Sequence, residues 1–214
     1  MLLIVPPELE PVAFKILPEQ PEGLRDLWGR DVHHCPYCYG WELRGGQIAV
    51  LMPGLQGQSA VENVLYHQKI TQDVLVCTDG PAILTEEERA LLTYRGVTVL
   101  EAPLARVEAR AGGGVRLHFR DGQVLERDVL YAHGERRVRG ELAEALGCEV
   151  TAAGITVNAQ QMTTVPGVYA CGDVTKGNQV AFAVASGAKA AMQAAFSIFY
   201  DDLKRDREAL TATP

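Results

Sequence analysis

The sequence predicts an α/β fold: a three-layer βαβ domain carrying an antiparallel meander, with a second α/β piece behind it. Three observations lead there. Residues 47–52 (QIAVLM) and 73–77 (DVLVC) are short aliphatic runs joined by a glycine-bearing turn and a helical stretch, the order of a βαβ unit. Gly112, Gly113 and Gly114, then Asp121 and Gly122, punctuate short strand-like segments, the signature of a meander. Beyond residue 134 the pattern changes to brief helices and strands and then a long alanine-rich helix. With 214 residues, 47% hydrophobic and 22% charged, the chain has material for one large domain or two small ones with a real core.

Taken in order, residues 2–5 form one short strand, cut off by Pro6 and Pro7. Residues 6–23 hold five prolines and no period, and read as an extended connector. Residues 24–28 are a small apolar cluster leading into Cys35-Pro36-Tyr37-Cys38, and Gly45 and Gly46 follow so soon that any helix carrying the thiols is short. The run at 47–52 is a buried strand. Gly54 and Gly57 turn the chain, and Ser59 with Glu62 makes an S-x-x-E capping box that starts a helix to about Gln68. Residues 73–77 are the second strand. Thr85 with Glu88 is another capping box, its helix stops at Gly96, and residues 97–100 are a third parallel strand. Residues 105–109, 115–119 and 123–125 form the meander, inserted in the parallel sheet, and 128–132 return to that sheet.

In the tail, residues 141–146 are a short helix closed by Gly147, and 155–157 and 168–170 are strands. Residues 180–200 form the long helix, whose run of small side chains (Ala181, Ala183, Ala185, Ser186, Gly187, Ala188, Ala191) suits burial against a sheet; residues 201–208 make a solvated last turn. The division expected is a connector at 1–28, a nearly self-contained domain at 29–134 and a C-terminal piece at 135–214.

A net charge of −7 argues against a nucleic-acid partner, which needs clustered lysine and arginine. No apolar run reaches the roughly 18 residues of a membrane span, and the apolar start lacks the basic flank of a signal peptide. Five cysteines without a secretion signal point to reduced thiols in the cytoplasm, where a CxxC is redox-active or metal-binding.

The pair Cys35 and Cys38 admits three readings. A zinc site needs two more ligands, yet Cys77, Cys148 and Cys171 are singletons, and His33 and His34 cannot both converge on one ion with the pair. Cys-Pro-Tyr-Cys also matches the active-site sequence of a glutaredoxin-like domain, with Thr164-Val165-Pro166 imitating its proline loop. That architecture demands a long helix after the cysteines, which Gly45 and Gly46 forbid. The third reading is a flavin-dependent disulfide reductase. Residues 23–30 with Cys35-Pro36-Tyr37-Cys38-Tyr39-Gly40-Trp41-Glu42, the βαβ unit after Gln47, Asp128-Val129-Leu130-Tyr131-Ala132-His133-Gly134, and Thr164-Val165-Pro166-Gly167-Val168-Tyr169-Ala170-Cys171-Gly172-Asp173 occur in one order over residues 23–200. In that order they resemble the low-molecular-weight thioredoxin reductase family.

The resemblance implies a nucleotide-binding domain followed by the C-terminal part of an FAD-binding domain, with Asp128–Gly134 as the return strand between them. It implies electron flow from NAD(P)H through FAD to the Cys35–Cys38 disulfide and on to a protein or small-molecule disulfide. Cys38 would face the flavin and Cys35 would exchange with substrate. Gly54, Gly57, Ala60 and Asp79 would bind the nicotinamide nucleotide, and Gly172, Asp173, Gln179 and Val180, with Asn178 opening the last helix, would bind the flavin.

Four departures qualify this. No G-x-G-x-x-G precedes the cysteines, so the chain reads as lacking the first flavin half; FAD binding is then expected to be weak or absent unless another chain supplies that half. Leu55 stands where the nucleotide turn wants glycine, and its side chain is expected to crowd a pyrophosphate; a turn with no ligand is the plain alternative. Thr78 and Asp79 replace a basic cluster for the 2′-phosphate, which favours NADH over NADPH. Tyr39 follows Cys38 where a stronger acid is usual, and a phenol is a slow proton donor at neutral pH. His33 or His34 is a substitute donor on paper, but each reads more readily as a packed or surface histidine. The opposing functional reading is a non-catalytic scaffold or dithiol switch. Under either reading residues 180–200 are expected to be covered by a second copy or by a separate flavin-domain chain.

Overall fold

The computed structural model describes residues 2–4, 14–15, 21–132, 135–136, 138, 140–175 and 179–212. Val5, Pro6, Pro7, most of the proline-bearing connector, His133, Gly134 and Asn178 lie outside them. In chain order the elements are β1 (Leu2–Ile4), β2 (Phe14–Lys15), β3 (Val32–His33), α1 (Pro36–Tyr39), β4 (Ile48–Leu51), α2 (Gln58–Tyr66), β5 (Val74–Cys77), α3 (Glu86–Tyr94), β6 (Thr98–Leu100), β7 (Leu104–Ala109), β8 (Val115–Phe119), β9 (Val124–Arg127), β10 (Val129–Ala132), β11 (Glu135–Arg136), α4 (Glu141–Ala145), β12 (Val150–Thr151), β13 (Gly154–Ile155), β14 (Val168–Ala170) and α5 (Val180–Ala212). They divide into two units, residues 16–135 and residues 1–15 with 136–214.

Residues 16–135 are built on a parallel sheet of order β3-β10-β4-β5-β6. Strands β4, β5 and β10 are buried at every position, which is why their sequences are continuous aliphatic runs rather than alternating ones. Successive side chains nevertheless go to opposite faces. Ile48, Val50, Val74, Val76, Val129 and Tyr131 pack with Val61, Val64 and Leu92 of the helices. Ala49, Leu51, Leu75, Cys77, Leu130 and Ala132 pack with Val107, Val115, Leu117 and Phe119 of the meander.

The three layers are therefore helices, parallel sheet, and the antiparallel sheet β7-β8-β9. This corrects the expectation that the meander is inserted in the parallel sheet: its alternating pattern gives it one apolar face, and that face closes the core from the other side. β10 runs between β3 and β4, so the segment expected to lead back toward a flavin domain is a central strand of this unit.

Two helix starts differ in their chemistry. Thr85 caps α3 as expected, its side chain accepting from Glu88 N at 3.2 Å while Glu88 Oε2 accepts from Thr85 N at 2.8 Å. The box expected at Ser59 and Glu62 does not form. Gly57, at φ +78°, turns the chain earlier and becomes the N-cap, so Ser59 falls inside the first turn and Glu62 accepts from Gln58 Nε2 instead.

In the other unit β1 pairs in parallel with β14, and β12 with β13 in an antiparallel hairpin. The strand expected over 155–157 is shorter: only Gly154–Ile155 enters the ladder, while Val157 makes a single bridge to Thr163. Val168 and Ala170 pack with Ala143, Cys148, Ile155 and Val174; Tyr169 and Cys171 pack with Ala190 and Ala194 of α5.

The helix α5 corrects three expectations. It runs to Ala212, because residues 188–212 contain no glycine or proline and the charged stretch continues it with Lys204–Glu208 and Asp202–Arg205 pairs. It is not a buried helix: among its residues Ala190 and Ala194 are buried, whereas Phe182, Val184, Phe196, Phe199 and Tyr200 are exposed. By length and composition, at a mean hydropathy of 1.2, it also reaches the threshold for crossing a membrane, although no run of that kind stood out in the sequence.

Candidate functional site

The cysteine pair follows directly from the end of β3. Cys35 is the N-cap of α1, with extended backbone, and Pro36 occupies the first helical position, where its missing N–H costs nothing. The helix lasts one turn. It ends at Gly40, whose N donates to Pro36 O at 2.8 Å; a Cβ there would lie 2.2 Å from Pro36 O and 2.7 Å from Ile70 Cδ1, so only glycine fits. This local geometry presents Cys35 half-buried and Cys38 exposed, both as free thiols.

The Cys38 thiol is raised from its ordinary value. Its hydrogen bond with Cys35, then burial, then the charge of Cys35 push it up to about 11. Around the pair the surface is aromatic: Tyr37 is 70% exposed and packs against Tyr66, and Trp41, 73% exposed, carries the Arg44 guanidinium 4.0 Å above its ring.

Around His33, two residues before Cys35, lies a layer of rings that the sequence does not announce. His33 stacks on Tyr39 with centroids 4.3 Å apart and lies 6.3 Å from Tyr131; Tyr131 lies 4.9 Å from His67. His34 stacks on Trp28 at 5.7 Å. Burial is the main cause lowering all three histidines, partly opposed at His33 by the Arg30 backbone and Asp31, and reinforced at His34 by His33. Both candidate proton donors beside the cysteines are therefore held neutral at neutral pH.

Tyr131 is fully buried, and its hydroxyl has no hydrogen-bond partner among the described residues. An unmade bond of this kind costs about 1–3 kcal/mol. The signal that could have found Tyr131 is one phenol in the otherwise aliphatic strand DVLYA. Its 93-residue separation from Cys38 hides the relation. No group of three or more His, Cys, Asp or Glu side chains gathers into a metal site among the described residues.

The β4–α2 turn opens at the same C-terminal edge of the sheet, the side on which open α/β sheets bind ligands. Gly54 N donates to Thr78 O at 3.1 Å, which ties the turn to the end of β5. Gly54 and Gly57 have φ of +64° and +78°, and a Cβ on either would meet nothing within 4 Å. Leu55 does not crowd this space. Its side chain is 1% exposed and packs inward with Val61 and Val64, which corrects the expectation drawn from its place in the motif. Ala60 sits in the first turn of α2, its N donating to Gly57 O at 3.1 Å. No side chain caps this helix start, so the turn fits a phosphate group. Asp79, at the end of β5 with φ +49°, is already engaged in holding the fold, since its Oδ1 accepts from Leu104 N at 2.7 Å.

The remaining candidates lie in the other unit. Gly172, at φ +76°, donates its N–H to Ser186 Oγ at 3.0 Å and so fixes the end of β14 to α5. Asp173 is half-exposed. Gln179 and Val180 are exposed at the start of α5.

A free CxxC at the edge of a parallel sheet, beside an uncapped glycine turn, defines the class. The profile of the pyridine nucleotide-disulphide oxidoreductases matches residues 23–194, and the chain belongs to that family. Its relatives place it more narrowly among proteins similar to thioredoxin reductases. It is 29% identical over 159 residues to thioredoxin reductase tcpT of Claviceps purpurea, covering 71% of this chain and 49% of that one. It is 28% identical over 182 residues to thioredoxin reductase sirT of Leptosphaeria maculans, covering 79% and 56%. The crystal structure of an oxidoreductase from Agrobacterium tumefaciens superposes with a TM-score of 0.74 at 30% identity, covering 85% of this chain and 61% of that one. The chain thus spans about half the length of the curated relatives it matches.

Proposed function

We propose that the chain carries the dithiol and nicotinamide-nucleotide part of a thioredoxin-reductase-like disulfide oxidoreductase. The observation that carries this reading is the pairing, on one sheet edge, of two free thiols with an open glycine turn at a helix start. The family generally uses FAD and NAD(P)H, which when bound supply the two electrons that open the Cys35–Cys38 disulfide. Gly54, Gly57 and Ala60 would hold the nucleotide phosphates. Asp79 retains one carboxylate oxygen for a ribose 2′-hydroxyl, which favours NADH over NADPH. Gly172, Asp173, Gln179 and Val180 would meet the flavin.

The chemistry of the pair then follows from its own groups. The Cys35 thiolate attacks one sulfur of the substrate disulfide, and a mixed disulfide forms as the first substrate thiolate leaves. Cys38 attacks Cys35 Sγ, its proton passing to the second departing sulfur. Two substrate thiols leave and the Cys35–Cys38 disulfide is restored. The high pKa of Cys38 keeps it protonated until this second step, so Cys35 acts first.

A second reading, a dithiol switch or scaffold without flavin, rests on the two free thiols alone. One experiment separates the two. The purified protein is given FAD, and then NADH or NADPH, while its visible spectrum and a disulfide substrate are followed. Flavin uptake and NADH-dependent disulfide reduction, abolished in Cys35→Ser, support the reductase. A colourless protein whose pair still oxidises reversibly supports the switch. Failure of the pair to form a disulfide at all removes the reductase and the switch and leaves the scaffold.

The exposed face of α5 supports a further part of this reading: residues 180–200 are covered by protein, either a second copy or a chain carrying a flavin-binding half. The charge balance speaks against a nucleic-acid partner. We take the working compartment to be the reducing cytoplasm, where a CxxC cycles rather than staying oxidised.

A further inference from the structure

The thiol-bearing helix α1 is a single turn with little backbone bonding of its own: Cys38 N donates to Cys35 O at 3.1 Å and Gly40 N to Pro36 O at 2.8 Å. One turn is not stable alone, because fixing its dihedrals outweighs its few hydrogen bonds. Tertiary contacts must therefore place it. The ring of Tyr39, the residue after Cys38, lies over the His33 imidazole with centroids 4.3 Å apart and planes at 21°. His33 is a fixed point. It is 7% exposed, belongs to β3, and is in register with Tyr131 of the interior strand β10. Cys35 follows His33 by two residues, so the backbone sets its distance from that point. Cys38 is tied to the same point from the other side, through Tyr39. Strand end, turn and ring stack close a short loop that contains both thiols.

We propose that Tyr39 is a positioning residue of the cysteine pair: its ring, stacked on His33, holds Cys38 in a fixed place relative to Cys35, and its hydroxyl takes no part. The effect is on effective concentration. Two thiols already held together form a disulfide more readily than two on a freely moving turn, because the loop entropy has been lost in advance. Opening the stack lowers the effective concentration of Cys38 at Cys35. The disulfide then becomes less stable relative to the dithiol, and Cys38 displaces a partner from Cys35 more slowly. An aromatic pair of this kind accounts for about a threefold to tenfold change. Trp41 supplies the contrast: it is another exposed ring close to the pair, 73% exposed, but its partner is Arg44, three residues on, and not β3. The proposal rests on the reading of Cys35 and Cys38 as a redox dithiol.

The test is a titration of the purified protein against reduced and oxidised glutathione, with dithiol, mixed-disulfide and disulfide forms counted by mass spectrometry after acid quenching. Each protein disulfide formed passes two electrons to one oxidised glutathione and releases two reduced ones. Tyr39→Phe keeps the ring and removes only the O–H, and should superpose on the unaltered protein. Tyr39→Ala removes the ring. Its equilibrium constant for disulfide formation should fall about threefold to tenfold, a tenfold fall being about 30 mV less reducing, and its mixed disulfide should accumulate at intermediate ratios. Trp41→Ala should leave the titration where it was. A Tyr39→Ala titration that superposes on the unaltered protein overturns the proposal. So does a Tyr39→Phe shift as large as that of Tyr39→Ala, or an equal shift in Trp41→Ala. If Tyr39→Ala does not fold, Tyr39→Leu, which keeps bulk without the stack, is read in the same way. On the unaltered protein the His33 ring protons should lie upfield, shifted by the Tyr39 ring; unshifted protons overturn the proposal independently of any variant. A pair that never forms a disulfide with oxidised glutathione removes the underlying redox reading, whereas one that does, with the same constant in Tyr39→Ala, removes only the role of Tyr39.

Discussion

His33 and His67 are imidazoles packed among rings, with burial as the main cause of their lowered pKa. The sign of the pH effect follows. The unfolded chain takes up protons near the ordinary histidine value of about 6.5, whereas the folded state resists until lower pH. Stability is therefore full above that value and is lost as pH falls through it. The urea midpoint is expected to drop between about pH 7.5 and about pH 5.5, in a range where carboxylates have yet to titrate. A midpoint that stays flat there would show that these rings gain no protons on unfolding. Cys35 and Cys38 could be picked from the sequence because their chemistry is written in a local spacing. The neutral state of the histidines could not, because it depends on what β10 and α2 lay over them.

At the scale of elements, the backbone turns decide more than the side-chain motifs do. Ser59 and Glu62 satisfy the letter of a capping box, yet Gly57 adopts a positive φ and starts α2 first. Leu55 breaks the glycine pattern of a nucleotide turn, yet its side chain leaves through the inner face. The segment before the cysteines is pinned in the same way. Gly23 has φ +80°, and a Cβ there would come within 2.1 Å of Val107 O, where Glu22 O accepts from Val107 N at 2.7 Å. Gly23→Ala should therefore detach residues 21–28 from β7 and loosen Leu24 and Leu27 in the core, at a cost on the order of 2–4 kcal/mol. Denaturant titration should show this as a lower midpoint, and hydrogen exchange should localise the loss to β7 and the 21–28 segment. A variant as stable as the parent would mean that the turn relaxes without cost.

For the whole molecule, the open question of assembly concentrates on α5. Ala190 and Ala194 meet Tyr169 and Cys171, whereas Ala181, Ala185, Ala188 and Ala191 are exposed. The larger apolar side chains of the same helix are left outside: Val180 is 82% exposed and Phe182 60%. Contiguous apolar surface of this kind is seldom left in water. Multi-angle light scattering is expected to find a dimer at micromolar protein, and Phe182→Glu with Val184→Glu to shift it toward monomer. A monomer at every concentration would exclude the second copy and leave a different chain as the cover.

The sequence by itself determined the parallel βαβ order, the shortness of the thiol-bearing helix and the family. Strand runs, glycine stops and the CxxC are all local patterns, fixed by backbone sterics and by which side chains tolerate burial. Only the tertiary structure decided that the meander is a separate third layer, that Leu55 faces inward, that α5 is largely exposed, and that Tyr131 packs against His67 and lies beside His33. Each of these depends on which faces meet across long stretches of chain. Apolar area is buried wherever it finds a complementary surface, and no local spacing records which surface that will be.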